Sequence, residues 1–226
     1  MTTLRVVSYN LKDLTQDRHA AARVIRRLDP DVLCLQEVPR RMLSAWRVSA
    51  FAAECDLVWS GAHHGSGGTT VLTSLRVQVE YSSHRRLRVA PWQRTRGYAV
   101  ARVAVPGRLP VVVASVHLSL DAAERLRHTE QILGSLAEGE RVVLAGDLNE
   151  GASGAAWQRL AGPLRLVSPD RPTFPAAAPN AVLDVIFASP GLTTRRGDEV
   201  VLDEGDIVAA SDHRPVWVDV ELGPER

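Results

Sequence analysis

The 226-residue sequence has only two cysteines, Cys34 and Cys55, too few for a disulfide framework. Neither has the spacing of zinc-binding cysteines, and Cys34 lies in an apolar run that predicts a buried thiol. Lys12 is the only lysine, so the basic residues are almost all arginines, which we attribute first to compositional bias. The net charge of +1 favours no particular class of partner.

Long apolar runs are also missing. No segment approaches the roughly 18 apolar residues of a membrane span, and the N-terminal residues lack a basic region followed by an apolar core. We therefore expect a soluble, cytoplasmic, monomeric protein without a membrane span. The chain is long for one domain and short for two, and its 45% content of hydrophobic residues is ordinary for a globular protein. Because no segment has the character of a linker, we expect a single domain over residues 1–226.

Hydrophobic periodicity predicts many strands with few helices between them. Strands are predicted at 4–10, 31–38, 56–60, 69–74, 77–81, 97–105, 110–118, 141–149, 182–188 and 214–222. Helices are predicted at 17–28, 40–53 (with Met42, Leu43, Trp46 and Ala50 on one side), 121–137 and 154–161. This order favours two packed sheets with helices outside them over an alternating βαβ fold.

Six of the apolar strands carry an acid, an amide or an imidazole at or near one end. These groups are Asn10, Gln36-Glu37, His117, Asp147 with Asn149, Asp184, and Ser211-Asp212-His213. Each alone could be a turn residue, a surface carboxylate or a satisfied core histidine. Because burying such groups unpaired is costly, their recurrence indicates that the strand ends converge on one polar site.

Two of these groups predict how particular side chains are arranged. In an extended chain Asp147 and Asn149 point the same way and Leu148 points back into the core. A carboxylate beside an amide suits gripping a water molecule or a metal-bound oxygen. Asp184 lies inside an apolar segment and needs a partner, and His213 is the natural one because a carboxylate that orients an imidazole raises its basicity.

Taken together, the segments resemble the endonuclease/exonuclease/phosphatase superfamily of metal-dependent phosphoesterases. The matching segments follow the order of the family and are Ser-Tyr-Asn-Leu (8–11), Leu-Gln-Glu-Val (35–38), Val-His-Leu (116–118), Gly-Asp-Leu-Asn (146–149), Leu-Asp-Val-Ile-Phe (183–187) and Ser-Asp-His-Arg-Pro-Val (211–216). The resemblance implies an α/β (α+β) fold, a four-layer sandwich of two packed mixed β-sheets flanked by helices.

The resemblance also implies a Mg²⁺-dependent hydrolase, with Mn²⁺ as a second candidate ion, that cleaves a phosphomonoester or phosphodiester by in-line attack of water. Glu37 would be the main metal ligand, with Asn10 beside it and Asp212 sharing the ion; such oxygen donors suit these ions. Asp147 would orient or deprotonate the water, and Asn149 would hold the phosphate or the water.

The two histidines would handle the phosphate. His213, oriented by Asp184, would act as general base or bind a phosphate oxygen, and His117 would donate to the phosphate and could protonate the leaving group. The sequence departs from the family around Asp184, where the family often has a preceding basic residue and a following tyrosine. Leu183 and Val185 stand there instead, which removes one potential substrate contact.

The substrate stays open at this stage: a nucleic acid, a small nucleotide, an inositol phosphate or a lipid headgroup. A DNA or RNA endo- or exonuclease is the alternative within the family, and a catalytically silent binding module is the alternative outside it. The short chain and His117 disfavour the abasic-site endonucleases. The near-neutral charge disfavours tight duplex binding.

Residues 84–96 hold five arginines and Trp92, the best candidates for substrate contact. Arg96 and Arg125 could fork onto phosphate, and Trp92 could stack on a base. The structural alternatives are a solvated hairpin for the stretch and, for Arg125, a salt bridge with Glu124 or a neighbouring turn. His63-His64 could form part of a lid or be an unrelated pair, and we expect no catalytic role for them. Residues 173–175 could form one wall of the cleft.

Overall fold

The computed structural model describes residues 2–41, 43–59, 65–92, 94–136, 140–197 and 200–224; Met42, His63 and His64 lie outside these ranges. The strands are β1 (Thr2–Asn10), β2 (Val32–Gln36), β3 (Val58–Trp59), β4 (Thr70–Thr73), β5 (Gln78–Leu87), β6 (Arg96–Ala104), β7 (Val111–His117), β8 (Val142–Asp147), β9 (Arg165–Leu166), β10 (Asp184–Ala188), β11 (Thr194–Arg196) and β12 (Val216–Leu222). The helices are α1 (Arg18–Leu28), α2 (Ser44–Glu54), α3 (Ala122–Leu133), α4 (Ala155–Ala161) and α5 (Glu204–Ala210), with a 3₁₀ turn at Lys12–Leu14.

The strands form two six-stranded mixed sheets. The first has the order β11-β12-β1-β2-β4-β3 and the second β5-β6-β7-β8-β10-β9. Each sheet has one parallel pair, β1 with β2 and β7 with β8, and its other neighbours are antiparallel. Parallel neighbours end at the same edge of a sheet, so each pair brings two strand ends together.

The central strands are apolar on both faces because both faces are covered. Alternate residues such as Val6, Cys34, Val113 and Ile186 pack between the two sheets. The other face of the first sheet packs on α1, α2 and α5, and that of the second on α3 and α4. The layers are therefore helices, sheet, sheet and helices, which confirms the predicted architecture.

Two helix starts follow from capping side chains. Asp17 accepts hydrogen bonds from the backbone N–H groups of His19 and Ala20 at 2.9 and 3.1 Å, and Asp121 accepts one from Glu124 at 2.8 Å. Each carboxylate satisfies N–H groups that the first turn leaves unpaired. Both starts agree with the sequence-based boundaries.

The helix predicted at 40–53 differs from the structure. It begins only at Ser44, after Leu43 in a left-handed conformation with φ 61°. Leu43 and Trp46 are exposed, so the predicted apolar side was wrong. The buried residues are Val48, Phe51, Ala52 and Cys55, which share the i, i+3, i+4, i+7 spacing of one helical face.

Two short elements had no clear sequence signal. Helix α5 buries only Ile207 and Ala210 in seven residues, and β11 has three residues with none buried. Strand β5 runs to Leu87, past the predicted end at 81, and forms an exposed edge hairpin with β6. None of the described helices is long and apolar enough to cross a bilayer.

Candidate active site

The two sheets bring their polar strand ends to one place. Asn10 is in register with Gln36 in the first sheet, and Asp147 is in register with both His117 and Asp184 in the second. The Asn10 Nδ2 group donates to Asp147 Oδ2 at 3.0 Å across the sheets. The predicted convergence of strand ends is therefore present.

A buried polar bridge lies directly behind these ends. Gln36 Nε2 donates to Ser115 Oγ at 3.1 Å, and Ser115 Oγ donates to the Leu35 carbonyl at 3.0 Å. Ser8 Oγ donates to Gln36 Oε1 at 3.3 Å. Because buried polar groups need these partners, the bridge favours one alignment of the sheets and so of the side chains beyond it.

Asp147 lies at the centre of the cluster and is almost fully buried. Its Oδ1 accepts from the Asn149 backbone N–H at 2.9 Å, while Oδ2 lies 3.5 Å from His117 Nε2 and 3.9 Å from His213 Nε2. Burial and then the negative charge of Asp184 raise the pKa of Asp147 to about 7, against the opposing effects of His213 and the hydrogen bonds.

Asp184 and His213 form the expected pair. His213 Nδ1 lies 2.8 Å from Asp184 Oδ2, and the Phe174 ring packs 4.8 Å from the imidazole between ring centroids. Burial alone lowers the pKa of His213, but the hydrogen bond and charge of Asp184, helped by Asp147 and Asp212, raise it to about 9. His213 is therefore an imidazolium at neutral pH.

His117 is neutral, in contrast to His213. Burial, followed by the positive charges of Arg96 and His213, lowers its pKa well below the ordinary 6.5. Its Nε2 lies 3.9 Å from Glu37 Oε1. Its buried Nδ1 has no hydrogen-bond partner among the described residues. A neutral His117 and a charged His213 thus flank Asp147.

Glu37 and Asp212 lie at the more open side of the cluster. The Glu37 side chain is 29% exposed and, within the described ranges, accepts no hydrogen bond, while its carbonyl accepts from the Asp13 N–H at 2.6 Å. Asp212 Oδ2 forms an ion pair with Lys12 Nζ at 2.9 Å. Lys12, which sequence analysis treated only as a compositional detail, thus neutralises a predicted metal ligand.

A second group of side chains could hold a metal ion. Asp147, Asp184 and His213 each offer a ligand atom, and these atoms all lie within 4.8 Å of one another. This group differs from the Glu37, Asn10 and Asp212 set implied by the resemblance. Asp184 Oδ2 already accepts from His213 and from Thr173 Oγ1, the latter at 2.6 Å.

Asn149 does not continue the strand, so the prediction that strand alternation aligns it with Asp147 was wrong. Strand β8 ends at Asp147, and Asn149 has a left-handed backbone with φ 53°, so strand alternation does not apply to it. The Asn149 Nδ2 group donates to the Leu118 carbonyl at 3.0 Å. Leu148 is buried as expected.

The three predicted substrate-contact residues differ in their surroundings. Arg96 is mostly buried at the start of β6. Burial lowers its pKa and outweighs the opposing effect of the charges of Glu37 and Asp147. Trp92 is 84% exposed on a turn. Arg125 lies on α3 and donates to Glu150 Oε2 at 2.7 Å and to the Ser119 and Leu120 carbonyls, which holds its side chain against the loop after β7.

Solved structures of other proteins share this fold. A protein of Beutenbergia cavernae described as an endonuclease/exonuclease/phosphatase has a TM-score of 0.75 and 24% identity, over 99% of this chain and 72% of that one. The catalytic domain of human Nocturnin with bound sulfate has a TM-score of 0.72 and 16% identity, over 98% and 94%. A mannosyl-6-phosphatase of Bacteroides thetaiotaomicron has a TM-score of 0.74 and 15% identity, over 96% and 99%.

The sequence itself identifies the family. The sequence model of the Endonuclease/Exonuclease/phosphatase family matches residues 7–213. No functionally curated protein matches the sequence significantly. The chain belongs to the endonuclease/exonuclease/phosphatase family, whose members are hydrolases that act on phosphoester bonds.

Proposed function

We propose that the protein is a divalent-metal-dependent hydrolase of phosphate esters that uses water as the nucleophile. The observation that supports this most directly is the environment of Asp147. Its carboxylate is buried between the two histidines, and its pKa is raised to about 7. A carboxylate with such a pKa accepts a proton from water more readily than an ordinary aspartate, while staying substantially ionised near neutral pH.

The two histidines have complementary roles in this proposal. The charged His213, fixed through Nδ1 by Asp184, presents Nε2 toward Asp147 and suits a phosphate oxygen better than it suits proton removal. The neutral His117 lies with Nε2 near Asp147 and Glu37, where it can donate to the phosphate. Donors held in place before the reaction stabilise charge that develops on the phosphoryl oxygens.

The donor chemistry of the site fits a divalent cation. Glu37 offers a partly exposed carboxylate, and Asn10, at the end of the adjacent parallel strand, offers an amide oxygen. Asp212 would have to share its carboxylate with Lys12. His213 is less suited to bind the ion because its protonated imidazole has no free nitrogen lone pair. When bound, Mg²⁺ or Mn²⁺ would neutralise charge on the phosphoryl and leaving oxygens.

A panel of phosphomonoesters and phosphodiesters, screened with Mg²⁺ and with Mn²⁺, tests the proposal. We expect hydrolysis that EDTA abolishes and added metal restores. Asp147→Ala and His213→Ala should each reduce kcat at least about a hundredfold. Glu37→Gln should weaken metal binding, measured by calorimetry, at least about tenfold. Exposed Arg159→Gln on α4 is the matched control.

Three results would contradict or redirect the proposed function. If wild type and variants were equally inactive on every ester, the catalytically silent binding module would replace the enzyme. If Glu37→Gln left the metal requirement unchanged, the ligand assignment would be wrong. Activity on nucleic acid that falls steeply with salt would favour the nuclease alternative, because phosphate-backbone contacts release counterions.

A further inference from the structure

A cationic cleft adjoins the candidate active site. It has a volume of about 560 Å³, and its lining includes Arg40, Arg41, Arg47 and Arg94. Asp13 is the one acidic residue among the described lining residues. The cleft therefore concentrates positive charge in a protein whose net charge is only +1.

The cleft and the catalytic cluster share their boundary. Arg40 follows Glu37 by three residues, and Asp13 donates its backbone N–H to the Glu37 carbonyl at 2.6 Å. Arg94 is two residues before Arg96. Both Arg40 and Arg94 lie near enough for their charges to act on His117. A molecule with one phosphate at His117 could therefore place a second group in the cleft.

The arginines differ in how they are held. Arg40 donates to the Gly67 and Thr95 carbonyls at 3.3 and 3.1 Å and forms a fixed wall. Arg47 Nη2 reaches the Asp13 carbonyl at 3.5 Å. Arg41 and Arg94 are exposed and have no ion pair or side-chain hydrogen bond within the described residues.

The cleft arginines differ from the other arginines by lining one concave surface together without an ion pair among the described residues. Several arginines elsewhere lie beside carboxylates, as in the pairs of Arg5 with Asp219, Arg23 with Asp206, Arg102 with Glu80 and Arg195 with Glu221. Guanidinium groups without carboxylate partners, in a concave site, are poised to bind phosphate through forked hydrogen bonds. The volume falls within the range of small-molecule sites.

We propose that this cleft binds a second phosphate group of the substrate, so that the protein prefers phosphoesters that carry two phosphates. The inference rests on the proposed function for the position of the first phosphate. The second phosphate could belong to a small bisphosphate or to a neighbouring nucleotide. Both kinds of substrate would place a phosphate group beside Arg41 and Arg94.

Calorimetry in metal-free buffer at constant ionic strength tests the binding site without requiring activity. The ligand pairs are thymidine 3′,5′-bisphosphate against thymidine 5′-monophosphate, and fructose 1,6-bisphosphate against fructose 6-phosphate. We expect at least one bisphosphate to bind about tenfold or more tightly than its monophosphate. The double variant Arg41→Gln/Arg94→Gln should lose this advantage and keep its monophosphate affinity within about twofold.

Arg108→Gln is the control, because Arg108 lies in the hairpin beyond the far end of β6, roughly 26 Å from Arg96 along the strand. It should keep the full advantage, and thermal melting should show that all variants are folded. A larger advantage for the nucleotide pair would indicate a nucleotide as the source of the phosphate, and a larger one for the sugar pair a small metabolite; either result supports the cleft.

A hydrolysis arm separates this inference from the proposed function. p-Nitrophenyl esters of thymidine 5′-phosphate, with and without a 3′-phosphate, should differ in kcat/KM only when Arg41 and Arg94 are present. Hydrolysis without any bisphosphate preference would overturn the cleft proposal and leave the proposed function intact. An arginine-dependent binding advantage without hydrolysis would support the cleft proposal and contradict the proposed function. No bisphosphate advantage in wild type, or one retained by the double variant, refutes the cleft proposal.

Discussion

Thr173 Oγ1 donates a 2.6 Å hydrogen bond to Asp184 Oδ2, the same oxygen that accepts from His213 Nδ1. The hydroxyl is buried and also accepts from the backbone N–H groups of Leu183 and Asp184 at 3.3 and 3.2 Å. Thr173 therefore connects the carboxylate to its own backbone and holds it in the orientation that the imidazole needs. The sequence alone predicts for this segment only a wall of the cleft.

Thr173→Val should separate this positioning from simple packing. Valine preserves the shape but removes the hydroxyl, so we expect kcat to fall about tenfold and the free energy of unfolding to fall by about 1–3 kcal/mol. Thr173→Ser, which keeps the hydroxyl, should recover most of the rate. Kinetics and urea unfolding provide the measurements. A valine variant with the kcat of wild type would contradict the positioning role.

Asp184→Asn should change the charge state of His213. Without the carboxylate, burial dominates, so the pKa of His213 should fall from about 9 and the rate should fall by about 10³–10⁴-fold. Because the folded-state pKa is raised above 6.5, the pair contributes stability that is full below pH 6.5 and lost as pH rises through about 9.

Two measurements check this prediction. NMR titration of the histidine ring gives the pKa, and urea unfolding at several pH values gives the stability. The difference in stability between wild type and Asp184→Asn should shrink from pH 6 to pH 9.5. An unchanged His213 pKa in the variant would show that Asp184 does not set it.

Gly146→Ala should disturb both the fold and the site. A Cβ atom there would lie 2.0 Å from the Val116 carbonyl oxygen on the adjacent parallel strand, far inside contact distance. We expect a loss of about 1–3 kcal/mol in unfolding free energy, with reduced activity because β8 must shift next to Asp147. Gly151→Ala, whose added Cβ would be 4.0 Å from its nearest neighbour, should change stability by less than about 0.5 kcal/mol.

His128 should make the fold sensitive to acid. Burial lowers its pKa below 6.5, and its Nε2 donates to the Arg88 carbonyl at 2.8 Å. The unfolded chain therefore takes up the proton more readily, and stability is lost as pH falls below about 6.5. His128→Gln, which keeps a donor without titrating, should lose less stability between pH 7.5 and pH 5 in urea unfolding. Parallel pH profiles would contradict this assignment.

The predictions from sequence succeeded where one segment carries its own signal. An apolar run that ends in a polar residue identified Asn10, His117 and Asp147 as converging strand ends. The helices predicted at 17–28 and 121–137 begin where predicted, and Asp17 and Asp121 cap their first turns. The contact between Asp184 and His213 was inferred because a buried carboxylate needs a partner.

The features that were not predicted from the sequence depend mostly on contacts between segments that are distant along the chain. The bridge from Gln36 to Ser115 spans 79 residues, and the cleft joins arginines of the segment 40–47 with Arg94, which is distant in sequence. Lys12 reaches Asp212 only because β1 and the segment before β12 lie side by side. The backbone of Asn149 is left-handed, so the extended chain does not reach this residue. Apolar periodicity does not indicate such a local change of conformation.

The bond between Asn10 and Asp147 has a consequence for biosynthesis. Each sheet holds only part of the reactive cluster, and His213 enters from a segment made 203 residues after Asn10. A chain that lacks the segment through His213 therefore cannot assemble the buried cluster around Asp147. Synthesis therefore completes the parts of the candidate site only once His213 has been made, although Asn10 lies on the first strand.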